Sequence, residues 1–328
     1  NLILDLNMSK NFIISLITFV CCFLFIFLII NHNKKAKNEY EKKFSIDNIT
    51  SINKVFLSDR KGNNIVLEKN SNTWKINDKY EVRNDAIKTL LNTLKFMKVQ
   101  RPVSNSSYNN VIRQLASTGV KVEIYHNNKI TSFTVGGSTK DHLGTYMLKE
   151  DADNPFVIHI PGFNGFLSPR FGIQGYEIDP TSWRNNTIFK ILSEDINEIL
   201  LNDFENINNS FVIKRNPLAL IDSENNLLKY DINKITDYFN NFSNIECEKF
   251  KGFDVDLSNE KQLYQLTIKH NNKSEILDVF SFSKKNNNSN QSEPNVERMY
   301  AVLNNGEYML IQKYVFNKVF ISIEDLEE

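Results

Sequence analysis

Ile52-Asn53-Lys54-Val55-Phe56-Leu57-Ser58-Asp59 is answered later in the chain by Ile196-Asn197-Glu198-Ile199-Leu200-Leu201-Asn202-Asp203. His126-Asn127-Asn128-Lys129 is answered by His270-Asn271-Asn272-Lys273 at the same offset of 144 residues. A third pair, Phe156-Val157-Ile158-His159-Ile160 and Met309-Leu310-Ile311-Gln312-Lys313, is offset by 153 residues, as an insertion ahead of it would produce. Three matches in one order predict a duplicated unit. The insertion has a natural place at 284–295, whose sequence KKNNNSNQSEPN buries nothing and reads as a disordered loop.

Around these matches the periodicity is mixed. Lys54 to Ser58, a turn at Lys61-Gly62-Asn63 and Ile65 to Lys69 alternate as a hairpin, which Trp74 to Ile76 continues. Asn84 then stands as an N-cap before Ala86, Ile87, Leu90, Leu91, Leu94 and Met97, spaced as one face of an amphipathic helix. A shorter helix is predicted at 108–115. Val120 to Tyr125 and Ile130 to Val135 flank His126-Asn127-Asn128-Lys129 as a second hairpin, and strands follow at 146–148 and 156–160. The second unit repeats the order, with strands at 196–201 and 211–214, a helix near 232–242 and a hairpin at 270–273. Strands and helices mixed in this way, with short hairpins, imply an α+β fold with antiparallel sheets.

Before the first unit, residues 12–30 carry no charge and are interrupted only by Ser15 and Thr18. At 1.5 Å rise per residue this length comes close to the roughly 30 Å of a bilayer core, and a helix of a soluble core would carry one polar face. The run ends in Asn31-His32-Asn33-Lys34-Lys35, with no small-residue cleavage site, and reads as an uncleaved anchor whose natural start is Met8-Ser9-Lys10. Cys21 lacks the small residues that lipid attachment needs before it. A polar tether is expected at 31–43. The organisation is therefore an N-terminal transmembrane helix (1–33) and two tandem, internally duplicated α+β units (44–190 and 191–328). Lys34, Lys35, Lys37, Lys42 and Lys43 after the anchor would, by the positive-inside rule alone, hold the large part in the cytoplasm.

The chain has 328 residues, 39 basic and 39 acidic, so no net field gathers nucleic acid. Of three cysteines, Cys21 and Cys22 lie in the anchor, and Cys247 has no partner for a disulfide within the units. The five histidines form no pair at metal-ligand spacing, and no metal or cofactor is expected. Asp254-x-Asp256-x-Ser258 begins like a calcium loop, but Asn259 replaces the turn glycine and Gln265 the bidentate glutamate. Val135-Gly136-Gly137-Ser138-Thr139-Lys140 lacks the order of a phosphate-binding loop and reads as a strand ending in a glycine turn. No nucleophile elbow occurs.

One segment between the units has no counterpart at the end of the second. It runs PGFNGFLSPRFGIQGYEIDPTSWRNNTIF and holds Phe166, Arg170, Phe171, Trp183 and Arg184, residue types that anchor partner surfaces. The same aromatics would equally fill a core. Those five residues are the candidate binding surface.

Trp74-Lys75-Ile76 before an amphipathic helix, a hairpin ending in Val135-Gly136-Gly137, the run Gly165-Phe166-Leu167-Ser168-Pro169-Arg170-Phe171 and the run Ser182-Trp183-Arg184-Asn185-Asn186-Thr187-Ile188-Phe189 together resemble the DUF4340 family of bacterial envelope proteins, most nearly its Bacteroidetes members. The resemblance covers most of 44–203 and, more loosely, the rest. It implies a membrane-anchored domain of unknown function on the extracytoplasmic side, with relatives among auxiliary components of ABC transporters such as those of gliding motility, and no catalytic residues to carry over. On that basis the expectation is a single-pass inner-membrane protein with a periplasmic body. It would be non-enzymatic and bind a protein partner in the envelope. The alternative is an envelope hydrolase with a site between the units around Arg170 and Arg184.

Overall fold

The computed structural model describes residues 10–252, 255–285 and 292–328. The Met8-Ser9 start, Asp254 of the acidic turn and the centre of the loop expected at 284–295 lie outside the described residues. The flanks of that loop, Ser283–Lys285 and Ser292–Pro294, pair as an antiparallel ribbon where no structure was expected. The chain is α+β, with one N-terminal apolar helix and two large antiparallel sheets, and it divides into compact units at Asn1–Trp183 and Arg184–Glu328.

The apolar run forms the first part of helix α1 (Lys10–Lys42), and every side chain from Thr18 to His32 is exposed. The helix is long and apolar enough to cross a membrane. The tether expected at 31–43 is instead its continuation. Nothing between Asn31 and Lys42 breaks a helix: the stretch has no glycine or proline and carries Lys34, Lys35, Ala36, Lys37, Glu39, Glu41 and Lys42, all good helix formers.

In the first unit nine strands form one sheet: β1 (Ile52–Ser58), β2 (Asn64–Asn70), β3 (Thr73–Ile76), β4 (Tyr80–Glu81), β5 (Lys98–Pro102), β6 (Val120–His126), β7 (Lys129–Ser138), β8 (Thr145–Lys149) and β9 (Phe156–His159). Their order is β4-β3-β2-β1-β6-β7-β8-β9-β5, antiparallel throughout. Alternation puts Val55, Leu57, Val122, Phe133 and Val135 into one core, which helix α2 (Asn84–Phe96) covers with Ile87, Leu90 and Leu94. Arg83, not Asn84, holds the N-cap position of α2, and its side chain caps nothing.

Helix α3 (Asn105–Thr118) is longer than the 108–115 predicted and lies on the opposite face, where Leu115 packs over β7. That contact explains the glycines of Val135-Gly136-Gly137. They lie inside β7, where the pairing to β8 slips between Val135 and Ser138, and a Cβ on Gly136 would stand 2.6 Å from Leu115 Cδ2. The glycine turn expected there is a bulge that lets a helix approach.

The second unit builds β10 (Ile196–Asp203), β11 (Phe211–Arg215), β12 (Leu218–Asp222), β13 (Leu227–Leu228), β14 (Lys249–Gly252), β15 (Gln262–His270), β16 (Lys273–Phe280), β17 (Arg298–Leu303) and β18 (Tyr308–Gln312). Their order, β13-β12-β11-β10-β15-β16-β17-β18-β14, is the first sheet's order strand for strand. Helix α4 (Ile232–Asn240) takes the place of α2, capped by Asp231 accepting from the Asn233 amide at 2.7 Å. Its Tyr238 lies between Phe211 and Phe242, with centroids at 5.8 and 5.4 Å, both edge-on. Among the described residues no helix joins β14 to β15, so α3 has no counterpart.

The two His-Asn-Asn-Lys matches are the same tight turn. Asn127 and Asn128 have φ of 45° and 57°, Asn271 and Asn272 of 45° and 60°, the left-handed pair a two-residue hairpin requires and asparagine tolerates. Beside them β1 and β10 carry the same irregularity: Ile52 pairs with His126 but Lys54 with Tyr125, and Ile196 pairs with His270 but Glu198 with Lys269.

The aspartate that closes each first-strand match is buried and holds the turn after it. Asp59 accepts from the amides of Lys61 (2.9 Å), Asn63 (3.0 Å) and Ile178 (3.3 Å) and from Asn63 Nδ2 (2.7 Å). Asp203 accepts from the amides of Glu205 (2.9 Å) and Asn206 (3.0 Å). Burial alone would raise the Asp59 pKa, but the Asn63 side chain and the three amides outweigh it and hold it below the usual carboxylate value. A depressed folded-state pKa contributes stability above the unfolded-state value of about 3.9, and that contribution is lost as pH falls through the folded-state value. In urea melts the midpoint should therefore fall as pH drops below about 4, and Asp59→Asn should flatten that slope.

Candidate functional site

The last turn of α1 is seated on the first unit by an inward lysine. β8 alternates Thr145, Met147 and Lys149 toward the buried side, and Lys149 carries its ammonium to the end of α1, donating to the carbonyls of Tyr40 (3.0 Å) and Lys43 (2.9 Å). Its Nζ also lies 3.7 Å from the centroid of the Tyr40 ring. A cation at the carbonyl end of a helix is favourably placed. Burial first, and Lys43 second, push the Lys149 pKa below the usual lysine range. Next to it the buried Glu41 carboxylate accepts from Asn154 Nδ2 at 3.1 Å and from the Asp153 amide at 3.4 Å. The same face bears an open groove of about 840 Å³, lined by Asn38, Glu41, Arg101, Ser104 and Tyr108.

The segment picked out by sequence is distributed between core and surface. Phe171 and Trp183 are buried in the core of the first unit, Phe171 edge-on to Phe133 at 5.9 Å. Phe166 is half-buried, 5.9 Å from the ring of His142. Arg170 is half-buried: its Nε donates to Thr93 Oγ1 at 2.7 Å, and its guanidinium lies 4.9 Å from the centre of the exposed Phe163 ring. The Pro169–Gly172 turn is possible because Gly172 has φ 69°, and any Cβ there would collide with Trp183 Nε1.

Arg83, Asp85, Thr89, Arg170, Gly172 and Trp183 thereby line a cavity of about 190 Å³ at the start of α2. Arg83 is tied in by its amide, which donates to the Trp183 carbonyl at 2.8 Å. Two buried donors here have no hydrogen-bond acceptor, Arg83 Nε and Trp183 Nε1. The sequence reading missed Arg83. Its signal was an arginine, rather than Ser, Thr, Asp or Asn, immediately ahead of an amphipathic helix. It also missed Lys149, a cation at an inward position of a strand.

Arg184 belongs to the second unit, where it forms a fork with Glu307 at 3.0 and 2.8 Å, both side chains largely buried. Its guanidinium carbon lies 3.4 Å from the Phe250 ring centroid. Nearby, burial pushes the Cys247 thiol up to about 12, which suits a structural rather than a nucleophilic cysteine. Among the described residues no group of three or more His, Cys, Asp or Glu is placed to hold a metal ion.

A family model described as a domain of unknown function, DUF4340, matches residues 74–268, more than half of the chain. The chain belongs to this family. The DUF4340 match opens in β3, closes in β15 and takes in every residue lining the Arg83–Trp183 cavity. No curated protein and no solved structure matches the chain.

Lys149→Met should release the last turn of α1 from its seat, because a buried hydrogen bond from a charged group contributes about 1.5–3 kcal/mol. Trypsin should then cleave at Lys42 and Lys43 on the order of tenfold faster or more, while the melting of the second unit is unchanged. Glu307→Gln leaves the Arg184 charge buried and incompletely paired, and should destabilise the second unit by about 3–5 kcal/mol in thermal unfolding.

Proposed function

We propose that this DUF4340 chain is a single-pass inner-membrane protein whose two units, descended from one duplicated unit, lie in the periplasm and bind a protein partner of the cell envelope, such as an ABC transporter. The observation that carries the reading is α1. Residues 12–30 are charge-free, those from Thr18 to Ile30 are exposed, and the same helix continues without a break into a built seat on the first unit. A leader destined for removal has no need of a buried lysine and a buried glutamate to fix its far end. The duplication is supported by the identical strand order, the shared bulge and the two left-handed Asn-Asn turns. The partner surface is centred on Phe166 and Arg170 with the exposed Phe163 beside them. Phe171 and Trp183 support it from beneath, and Arg184 marks where the chain passes into the second unit. An exposed aromatic under an arginine is a common anchor pair at interfaces.

The test is protease digestion of intact spheroplasts together with cross-linking from position 166. Digestion of 44–328 without lysis, and a discrete cross-linked envelope protein lost in Arg170→Ala, are the expected results. Protection until lysis would overturn the periplasmic placement. The absence of a discrete adduct would overturn the partner surface.

A further inference from the structure

The cavity between the start of α2 and the Pro169–Gly172 turn has the makings of an anion site, and we infer that it binds a small oxyanion, a carboxylate or a phosphate group. The first observation is an uncapped helix end. α2 has thirteen residues, its N-cap side chain accepts from none of the first-turn amides, and Asp85 and Ala86 of that turn line the cavity. The second is independent of the helix. Trp183 is 2% exposed, its Nε1 has no acceptor, and that nitrogen faces the point where any residue but glycine at 172 would carry its Cβ. Leaving a buried N–H unpaired costs about 1–3 kcal/mol.

The charges agree. Arg83 and Arg170 both line the cavity against one carboxylate, Asp85, which is 75% exposed on its side chain and lies 3.4 Å from Arg83 Nε without hydrogen-bond geometry. Arg170 is held in place by the buried Thr93 through Nε alone, so its two terminal nitrogens keep their donors. Size limits the ligand. At about 190 Å³ the cavity is several times the volume of a water, about 30 Å³, yet smaller than a typical pocket for a whole metabolite, about 300–1,000 Å³. It suits one oxyanion group, free or at the end of a larger molecule. This inference rests on the first unit alone and holds whichever side of the membrane that unit occupies.

The chain has two tryptophans, so Trp74→Phe leaves Trp183 as the reporter of its own cavity. The full-length protein in detergent micelles is titrated with inorganic phosphate, acetate and a short peptide with a free or an amidated C-terminus, against sodium chloride at equal ionic strength. A saturable change in Trp183 emission is expected. Arg83→Gln should weaken it about tenfold, and Asp85→Asn, which removes the competing carboxylate, should tighten it about threefold. A response to phosphate alone identifies a phosphate ligand, and a response lost on amidation identifies a peptide carboxylate. Emission that follows chloride and phosphate alike, or identical midpoints in both folded variants, would overturn the inference. Far-UV circular dichroism and the melting midpoint confirm that each variant is folded; should Arg83→Gln unfold, the opposite shift in Asp85→Asn still decides.

Discussion

Each unit depends on one strand that must be paired on both sides, on one of them by a segment far away in sequence. β1 lies between β2, its hairpin neighbour, and β6, whose first pairing joins Ile52 to His126. A central strand buried on one face cannot leave either row of amides and carbonyls unpaired. The register of β6 against β1 is therefore narrowly set, and a slip of one residue would turn Val55 and Leu57 out of the core. The Asn127-Asn128 turn and the buried Asp59 stand at opposite ends of this pairing and hold it in place. β10, β15, the Asn271-Asn272 turn and Asp203 do the same in the second unit. The motifs that the two units share are thus those that set register.

What differs between the units lies where register is not at stake. α3 covers the outer face of the first sheet at the cost of glycine at 136, and the second unit has no such helix among the described residues. The segment from Phe163 to Trp183 is likewise peculiar to the first unit. Its Phe171 and Trp183 close the core beside α2, while Arg170 reaches back to Thr93 on that helix. Core closure and the polar cavity therefore share one turn, since Gly172 admits the indole and leaves the space beside it.

The junction of α1 with the first unit follows the same economy. Lys149 and Glu41 are buried polar groups at this seam, each with its partner there, and the exposed Tyr40 lays its ring beside the Lys149 ammonium. A seam of this kind fixes direction as well as contact, because the hydrogen bonds to the Tyr40 and Lys43 carbonyls are met by only one approach of the helix. The first unit is carried by a helix rather than hung from a tether.

The α+β class, the hairpins, the amphipathic faces of α2 and α4 and the apolar span were legible in the sequence, because each is written in local periodicity or in a local turn. The repeats, at an offset of 144 residues for two matches and 153 for the third, also placed β1, β6 and β9 in correspondence with β10, β15 and β18. The candidate site was legible only in part. Arg170 and Trp183 stood out by residue type, but residue type says nothing of which way a side chain faces, and Phe171 and Trp183 proved to be core. Arg83 and Lys149 were invisible as members of a site, since the groups that give them meaning, the Trp183 carbonyl and the end of α1, arrive from about a hundred residues away. The sequence by itself determined the elements and their pattern through short-range sterics and hydrophobic alternation. Only the tertiary structure decided which donors are left without acceptors, because that depends on what long-range packing brings beside them and on what it leaves out.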